Sequence, residues 1–283
     1  MRELTIGGDL TVRRIGYGAM RLADGPGRPA DPAAAHIWKP PADRDGAVAL
    51  LRHAVEAGVQ LIDTADAYAL GGNEELIAEA LHPYRDDVVI ATKVGVLRPS
   101  PTEWVTHGHP AYLRQQAELG LRRLRVERID LLQLHRIDPD YPLADQVGAL
   151  RQMQEEGKVR HIGLSEVTVE QLKEAAGIAP IASVQNVYNL AARQHEEVVD
   201  HAAAEGMAFL PFFPIAMGAR LDAAARVAEE VGATPSQVAL AWLLRRSPTV
   251  LPIPGTTSIA HLDENLAALD IELTDDQFAR LNA

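Results

Sequence analysis

The sequence predicts an α/β protein built as a (β/α)8 barrel, with an N-terminal β-hairpin plug before the first barrel strand and C-terminal helices after the last. Three observations carry that expectation. Short β-branched or apolar runs alternate with longer stretches whose apolar residues recur at three- and four-residue steps, the signature of parallel βα units. The runs number eight. The chain has 283 residues and no linker-like shift in composition, so residues 1–283 read as a single domain of one barrel's length. A doubly wound sheet would show the same alternation, but no G-x-G-x-x-G follows an early strand and no G-x-x-x-x-G-K-[ST] occurs.

Taken in order, ELTIGG (3–8) and TVRRIG (11–16) flank Asp9 as two short strands able to pair as the plug. The barrel strands are RIGYGAM (14–20), QLIDTA (60–65), DVVIATKVG (87–95), RIDLLQLH (128–135), VRHIGLSE (159–166), IASVQNVY (181–188), MAFLPFFP (207–214) and TVLPIPG (249–255). Amphipathic stretches at 43–58, 73–82, 111–124, 143–157, 196–206 and 236–246 read as helices, several closing at Gly58, Gly157 or Gly206 in the manner of left-handed caps. Residues 23–43, rich in Pro, Gly and Ala, and residues 97–110 lack any period and read as long loops after strands 1 and 3. Loops in those places lie on the C-terminal face, where barrels keep their active sites. SIAHLDENLAAL and TDDQFARLN read as the closing helices, the second with Thr274 as its cap.

Composition narrows the function. Lys and Arg total 27 against 39 Asp and Glu, a net charge of −12 that offers no basic stripe for a nucleic acid. There is no cysteine, which excludes a disulfide framework, a thiolate nucleophile and Cys-ligated metal. The N-terminus lacks the apolar core of a signal peptide, and nowhere do about 18 apolar residues run together. The expectation is therefore a cytoplasmic protein with a small-molecule substrate, no nucleic acid and no membrane. Nothing in the sequence marks an oligomeric state.

Four ionisable residues stand at or just after the ends of predicted strands: Asp63, Tyr68, Lys93 and His135. As a set they suit proton transfer at a carbonyl. A phenol with a pKa near 10 is a poor acid at neutral pH, and the Lys93 ammonium would lower that value. An ammonium among Val88, Val89, Ile90 and Val94 needs a counter-charge, and Asp63 is the obvious partner. His135 would donate a hydrogen bond to the substrate oxygen. Taken singly, Asp63 also suits a turn cap and Tyr68 an ordinary loop aromatic. Lys93 inside VVIATKVGV is harder to explain by solubility. His53, His82 and His201 fall in helical stretches and read as surface or packing residues; His107 and His109 suit loop decoration, substrate contacts or weak metal ligands, with decoration favoured. No H-E-x-x-H occurs, so no metal site is expected.

Asp63-Thr64-Ala65-Asp66-Ala67-Tyr68, Lys93 in ATKVG and His135 in DLLQLH together resemble the tetrad of the aldo-keto reductase superfamily. The elements GYGAM, DTADAY, ATK, LLQLH, RHIGLSE, SVQNVYN and IPGTT occur in family order, so the resemblance runs from the hairpin to SIAHLDENL. It implies a TIM barrel that passes a hydride from a reduced nicotinamide to an aldehyde or ketone. Tyr68 would then be the general acid, Lys93 the residue that lowers its pKa, Asp63 the anchor of Lys93, and His135 the residue that orients the carbonyl.

The resemblance also implies the cofactor residues. Ser165 and Gln185 match positions that hold the nicotinamide carboxamide, and Phe212 the place of an aromatic stacked on the ring. Gly18 and Met20 of GYGAM flank the same site. Gly255, Thr256, Thr257, His261, Glu264 and Asn265 match the segment that wraps the adenosine end; a plain strand-to-helix turn would also want Gly and Thr. Glu166 stands where many relatives have Asn, so an amide donor is absent. Gly255 and His261 stand where relatives that prefer NADPH carry Lys and Arg, leaving Arg21, Arg220 and Arg226 as the cations to reach a 2′-phosphate. NADP(H) is favoured, since IPGTTSIAHLDEN and FLPFFPI resemble a bacterial branch with NADPH-dependent pyridoxal reductases; NAD(H) stays open. Tyr17, Trp38 and Trp104 are candidates to line the substrate pocket. The competing readings are a nucleotide-binding regulatory or sensor subunit with little turnover, and a barrel of unrelated isomerase or lyase chemistry.

Overall fold

The computed structural model of the chain describes residues 2–23, 37–215 and 219–282. At its start, β1 (Glu3–Ile6) and β2 (Leu10–Arg13) pair antiparallel around a turn in which Gly7 and Gly8 take positive φ. Their inner residues Ile6, Leu10 and Val12 pack on Leu61, Val89 and Ala208, which begin barrel strands. The hairpin therefore covers the N-terminal end of the barrel, and Asp9 at its tip fastens it there by accepting hydrogen bonds from Arg160 and His161.

The barrel wall begins with β3 (Tyr17–Gly18), β4 (Leu61–Asp63) and β5 (Val89–Val94). In the loop that follows, β6 (Val96–Leu97) and β7 (Val105–Thr106) form a small antiparallel ladder where the sequence showed no period. The wall continues with β8 (Ile129–Leu134), β9 (Val159–Ser165), β10 (Ile181–Gln185) and β11 (Ala208–Phe209). These seven strands pair in parallel in the order β3, β4, β5, β8, β9, β10, β11. Around them lie α1 (Arg44–Glu56), α2 (Gly72–Leu81), α3 (Pro110–Leu124), α4 (Leu143–Glu155), α5 (Val169–Ala176), α6 (Glu196–Ala204), α7 (Ala219–Val231) and α8 (Pro235–Arg246). The closing helices are α9 (Ile259–Ala267) and α10 (Asp275–Asn282). Gly58, Gly157 and Gly206 all hold positive φ after their helices, as expected. Thr274 accepts from the Gln277 N–H while the Gln277 side chain accepts from the Thr274 N–H, a reciprocal cap.

Helices α5 and α7 lie outside the stretches that the sequence reading marks as helical: α5 is only eight residues long and buries Leu172 and Ala175, and α7 is rich in alanine. The first and last barrel strands also differ from expectation. Residues 14–20 form a two-residue strand that runs into a 3-10 turn at Ala19–Leu22. Residues 249–255 close the barrel without forming a regular ladder: Leu251 N–H donates to Phe209 O (2.8 Å), and Gly16 and Gly18 N–H donate to Pro252 O (3.0 Å) and Pro254 O (3.2 Å). Pro252 and Pro254 face β3 and have no N–H to return, so half the bonds of that seam are missing by covalent structure.

The seam is close because it is glycine on both sides. A Cβ on Gly18 would lie 2.7 Å from Ile253 O, and one on Gly255 2.7 Å from Gly18 O. The Arg14 guanidinium reinforces it from the opposite end, donating to Val250 O (3.1 Å) and Leu244 O (2.8 Å) and tying the end of α8 to the closing segment. No helix among the described residues is long and apolar enough to cross a membrane.

Two glycine substitutions should move stability in opposite directions. Gly18→Ala places a methyl against the seam and should destabilise by about 1–3 kcal/mol. Gly148→Ala, inside α4 with open space at its Cβ, should stabilise by about 0.5–1 kcal/mol. Urea midpoints of the two variants and the parent check both signs.

Candidate active site

Consecutive strands end on polar side chains at one mouth. Asp63 is the last residue of β4, Lys93 the fifth of the six residues of β5, Ser165 the last of β9 and Gln185 the last of β10. His135 follows β8 directly and donates its N–H to Val94 O at 2.8 Å. At the centre, Lys93 Nζ donates to Asp63 Oδ2 (2.5 Å) and to Thr64 O (2.9 Å), with side-chain exposures of 1% for Lys93 and 4% for Asp63. The other carboxylate oxygen, Asp63 Oδ1, accepts from Gln185 Nε2 (2.8 Å) and Gln133 Nε2 (3.1 Å). Burial alone would lower the pKa of Lys93, but Asp63 and Tyr68 more than reverse this and hold it above its ordinary value.

Tyr68 opens a 3-10 turn, Tyr68–Gly71, after β4. The Lys93 ammonium lies 5.3 Å from the centroid of its ring. Its phenol is pushed above 10 by burial; Lys93 and Arg136 pull it down, and Asp63 opposes them. The sequence pointed to a net lowering by Lys93. In the structure that pull exists but is outweighed, because a phenolate sealed among Met20, Ile37, Ala65 and Ala69 loses its hydration. Tyr68 is thus a protonated group under cationic influence. The His135 ring stands edge-on to it with centroids 6.0 Å apart. Burial, then Lys93, Arg136 and Arg98, drive the His135 pKa well below 6.5, so the imidazole is neutral; its Nδ1 is buried without a hydrogen-bond partner.

The backbone is strained around this point. Of the six non-glycine residues with positive φ among those described, Ile37, Ala69, Leu70, Glu166 and Phe213 all lie in loops on the mouth side of the barrel, each at about 1–2 kcal/mol. Ala69 and Leu70 follow Tyr68 directly. Three contacts hold the turn: Ala69 N–H donates to Ile37 O (2.9 Å), Thr64 Oγ1 to Asn73 Oδ1 (2.8 Å), and Asn73 Nδ2 to Ala19 O (3.0 Å).

Arg98 knits the two loops together. It donates to the carbonyls of Pro101 (2.8 Å), Glu103 (3.0 Å), Ile37 (3.4 Å) and Ala67 (3.4 Å), with its guanidinium 3.6 Å from the Trp104 ring and 5.7 Å from the Trp38 ring. Trp104 in turn stands edge-on to Tyr68 and His135 at 6.4 Å and 6.3 Å. Trp38 and Trp104 are therefore walls of the mouth. Tyr17 is not: it is fully buried beside α1, and its hydroxyl donates to Thr256 O at 2.6 Å, which makes it a staple of the barrel seam.

The remaining sequence candidates fall in two groups. Met20 packs beside Tyr68, and Phe212 bridges to Val187 with its ring 5.9 Å from the Arg136 guanidinium. Gly255, Thr256, Thr257 and His261 line the entry to α9, where Ser258 Oγ accepts from His261 N–H (3.4 Å) and Thr256 Oγ1 from Ser258 N–H (3.1 Å). Asn265 is buried on α9, and Glu264 is tied to α8 by accepting from Thr234 Oγ1 (2.6 Å). Arg21 runs beside Gly255, and Arg226 is exposed on α7; the Arg220 side chain and residues 24–36 lie outside those described. Gln133, Arg98 and Arg136 escaped the sequence reading. Gln133 had a visible signal, a lone polar residue inside an apolar strand. Asp66 and Glu74 are buried acids raised in pKa chiefly by burial, Glu74 accepting from Thr92 and Arg123 at 2.6 Å each.

The sequence profile of the Aldo/keto reductase family matches residues 14–283. A pyridoxine 4-dehydrogenase of Escherichia coli is 42% identical over 283 residues, covering 97% of this chain and 96% of the relative. An uncharacterized oxidoreductase of Schizosaccharomyces pombe is 44% identical over 282 residues, covering 97% of this chain and 87% of the relative. Among solved structures, an aldo/keto reductase from Klebsiella pneumoniae in complex with NADP and acetate superposes with a TM-score of 0.81 at 30% identity, covering 99% of this chain and 94% of that one.

The central ion pair makes a stability prediction independent of activity. Asp63→Asn leaves a buried ammonium without its counter-charge and should destabilise by about 3–5 kcal/mol. Adding Lys93→Met to that variant should recover most of the loss, read from urea denaturation of the single and double variants.

Proposed function

Because the chain belongs to the aldo/keto reductase family, we propose that it reduces an aldehyde or ketone to the alcohol with Tyr68 as proton donor and NADPH, in preference to NADH, as hydride source. The observation that carries this reading is the meeting of Tyr68, Lys93, Asp63 and His135 at one mouth, with the only ion pair among them buried beneath the phenol.

The residues present fit a dinucleotide. Gln185 spends its amide N–H groups on Asp63 and Gln133, which leaves its carbonyl oxygen as an acceptor at the end of β10. Phe212 offers a ring face nearby. At the entry to α9, a Cβ on exposed Gly255 would meet Gly18 O, and the first N–H groups of a helix, which have no partner within it, suit an anion such as a phosphate. Preference for NADPH draws on the NADP held by the Klebsiella pneumoniae relative, on His261 in the first turn of α9 and on Arg21 beside Gly255.

A bound reduced nicotinamide supplies a hydride to the carbonyl carbon; the chain supplies the rest. His135, neutral at physiological pH, directs a hydrogen bond to the carbonyl oxygen through Nε2 and so sets its angle. Tyr68 donates the proton to that oxygen as charge develops on it. Lys93 stabilises the phenolate that remains, and Asp63 keeps Lys93 charged and aimed. Trp38 and Trp104, stacked on Arg98, exclude water on the substrate side. The pyridoxine 4-dehydrogenase relative makes pyridoxal the first aldehyde to offer.

Tyr68→Phe should lower reduction of 4-nitrobenzaldehyde and pyridoxal by about 10²–10⁴-fold while NADPH still quenches tryptophan fluorescence. Turnover at the parent rate would overturn the assignment, and binding without turnover in the parent would move the protein to the sensor class. The pH dependence has a definite sign. A phenol with raised pKa stays protonated through neutrality, so reduction should be flat from about pH 6 to pH 8, fall only in alkali, and show no inflection from His135. Alcohol oxidation, which needs the phenolate, should rise with pH over the same range. In parallel titrations, NADPH should bind more tightly than NADH.

A further inference from the structure

Arg136 follows His135 at the end of β8 and lies largely inside the mouth. Its Nη1 donates to His135 O and to Ser165 Oγ, the latter at 3.0 Å. Its guanidinium carbon stands 5.9 Å from the Phe212 ring. Among the described residues no acceptor takes its Nε or Nη2, and no carboxylate pairs with it. The nearest acid, Glu166, is otherwise engaged: its Oε1 accepts from Val187 N–H at 2.6 Å, its Oε2 lies 3.9 Å from His195 Nε2, and its backbone is held at a φ of 55°. Arg136 is half-buried and its Nε and Nη2 are not among the sealed polar atoms, so both donors open onto the mouth, where they can serve an incoming acceptor.

The neighbouring strand ends define that group. Ser165, the last residue of β9, accepts from Arg136 just beyond β8 on one side and is in register with Gln185 of β10 on the other. Gln185 Nε2 is committed to Asp63 and Gln133, so Gln185 presents only its carbonyl oxygen. The mouth thus offers donors from Arg136 on one side and an acceptor from Gln185 on the other, beside an aromatic face. A primary carboxamide on a flat ring, with a carbonyl oxygen and an NH₂, is the complement of that pattern. Glu166, a carboxylate, can only accept and cannot supply the donor.

We propose that Arg136 donates to the carboxamide oxygen of the nicotinamide, supplying the donor that Glu166 cannot, while Gln185 and Phe212 keep the roles that the family resemblance implies. This rests on the reading of the mouth as a nicotinamide dinucleotide site. Glu166 then acts on the wall, holding Val187 and balancing the guanidinium charge from a distance.

The test is a set of equilibrium affinities, read by tryptophan quenching in the absence of substrate, for the parent and Arg136→Met. The probes are NADP⁺, its 3-acetylpyridine analogue, which keeps the ring C=O and lacks the NH₂, its thionicotinamide analogue, which replaces the oxygen by sulfur, and adenosine 2′,5′-bisphosphate. The parent should bind the thio analogue about tenfold to a hundredfold more weakly than NADP⁺, the range of one charge-assisted hydrogen bond. Arg136→Met should lose that discrimination by weakening NADP⁺ and the acetyl analogue to the level of the thio analogue, with the bisphosphate unchanged. NADP⁺ affinity equal to the parent's overturns the proposal, whether or not the variant raises KM for acidic carbonyl substrates. So does an equal loss for NADP⁺ and the bisphosphate, which would make Arg136 a general electrostatic or structural residue. A parent that binds none of the four overturns the dinucleotide reading itself, and the proposal with it.

Discussion

The site depends on a single buried ion pair. Lys93 is an ammonium with 1% of its side chain exposed, in a strand otherwise made of Val, Ile, Ala and Thr, and Asp63, 2.5 Å away, is the first of the groups that offset its burial. Asp63 has the same difficulty in mirror image, and Gln133 and Gln185 relieve it with two N–H donors. This one ion pair therefore links polar side chains on β4, β5, β8 and β10, four of the seven paired strands of the wall. The strand ends are registered by this network as much as by the backbone ladder, because each member would be a costly orphan without the others.

The groups above the pair work in its field. Tyr68 is pulled toward phenolate by Lys93 and Arg136 and toward phenol by its own burial, and burial prevails. His135 meets three cations and stays neutral. Both outcomes suit the proton-donor role proposed for Tyr68 and the neutral hydrogen-bond donor proposed at His135. The backbone strain at Ala69 and Leu70 is located where this arrangement is made: it turns the chain sharply after Tyr68 and brings the phenol back over Lys93. Arg98 spans the two loops that carry Trp38 and Trp104, so the walls of the mouth are joined to the Tyr68 turn through Ala67 O.

Much of this was legible in the linear sequence, and the failures have physical causes. Eight apolar runs predicted the wall, and the polar residues ending them predicted Asp63, Lys93 and His135, since core packing does not require such residues there. The seam was misjudged because Pro252 and Pro254 read as part of an apolar run although they cannot donate to a ladder. Tyr17 reads as a pocket residue in the sequence and is buried in the structure, because an aromatic next to glycine gives no sign of which face it turns to. Arg98 and Arg136 were invisible as site residues in a chain with 23 arginines, where one more carries no compositional weight.

The sequence by itself determined the alternation that makes a barrel, the absence of thiol chemistry and the residue types for proton transfer, all of which are periodic or compositional properties. Tertiary structure decided which of these residues meet, which charge prevails at Tyr68, and which arginine faces the mouth with open donors. Those outcomes depend on distance and burial. Coulomb energies and desolvation costs change steeply over a few ångströms, and no spacing along the chain encodes them.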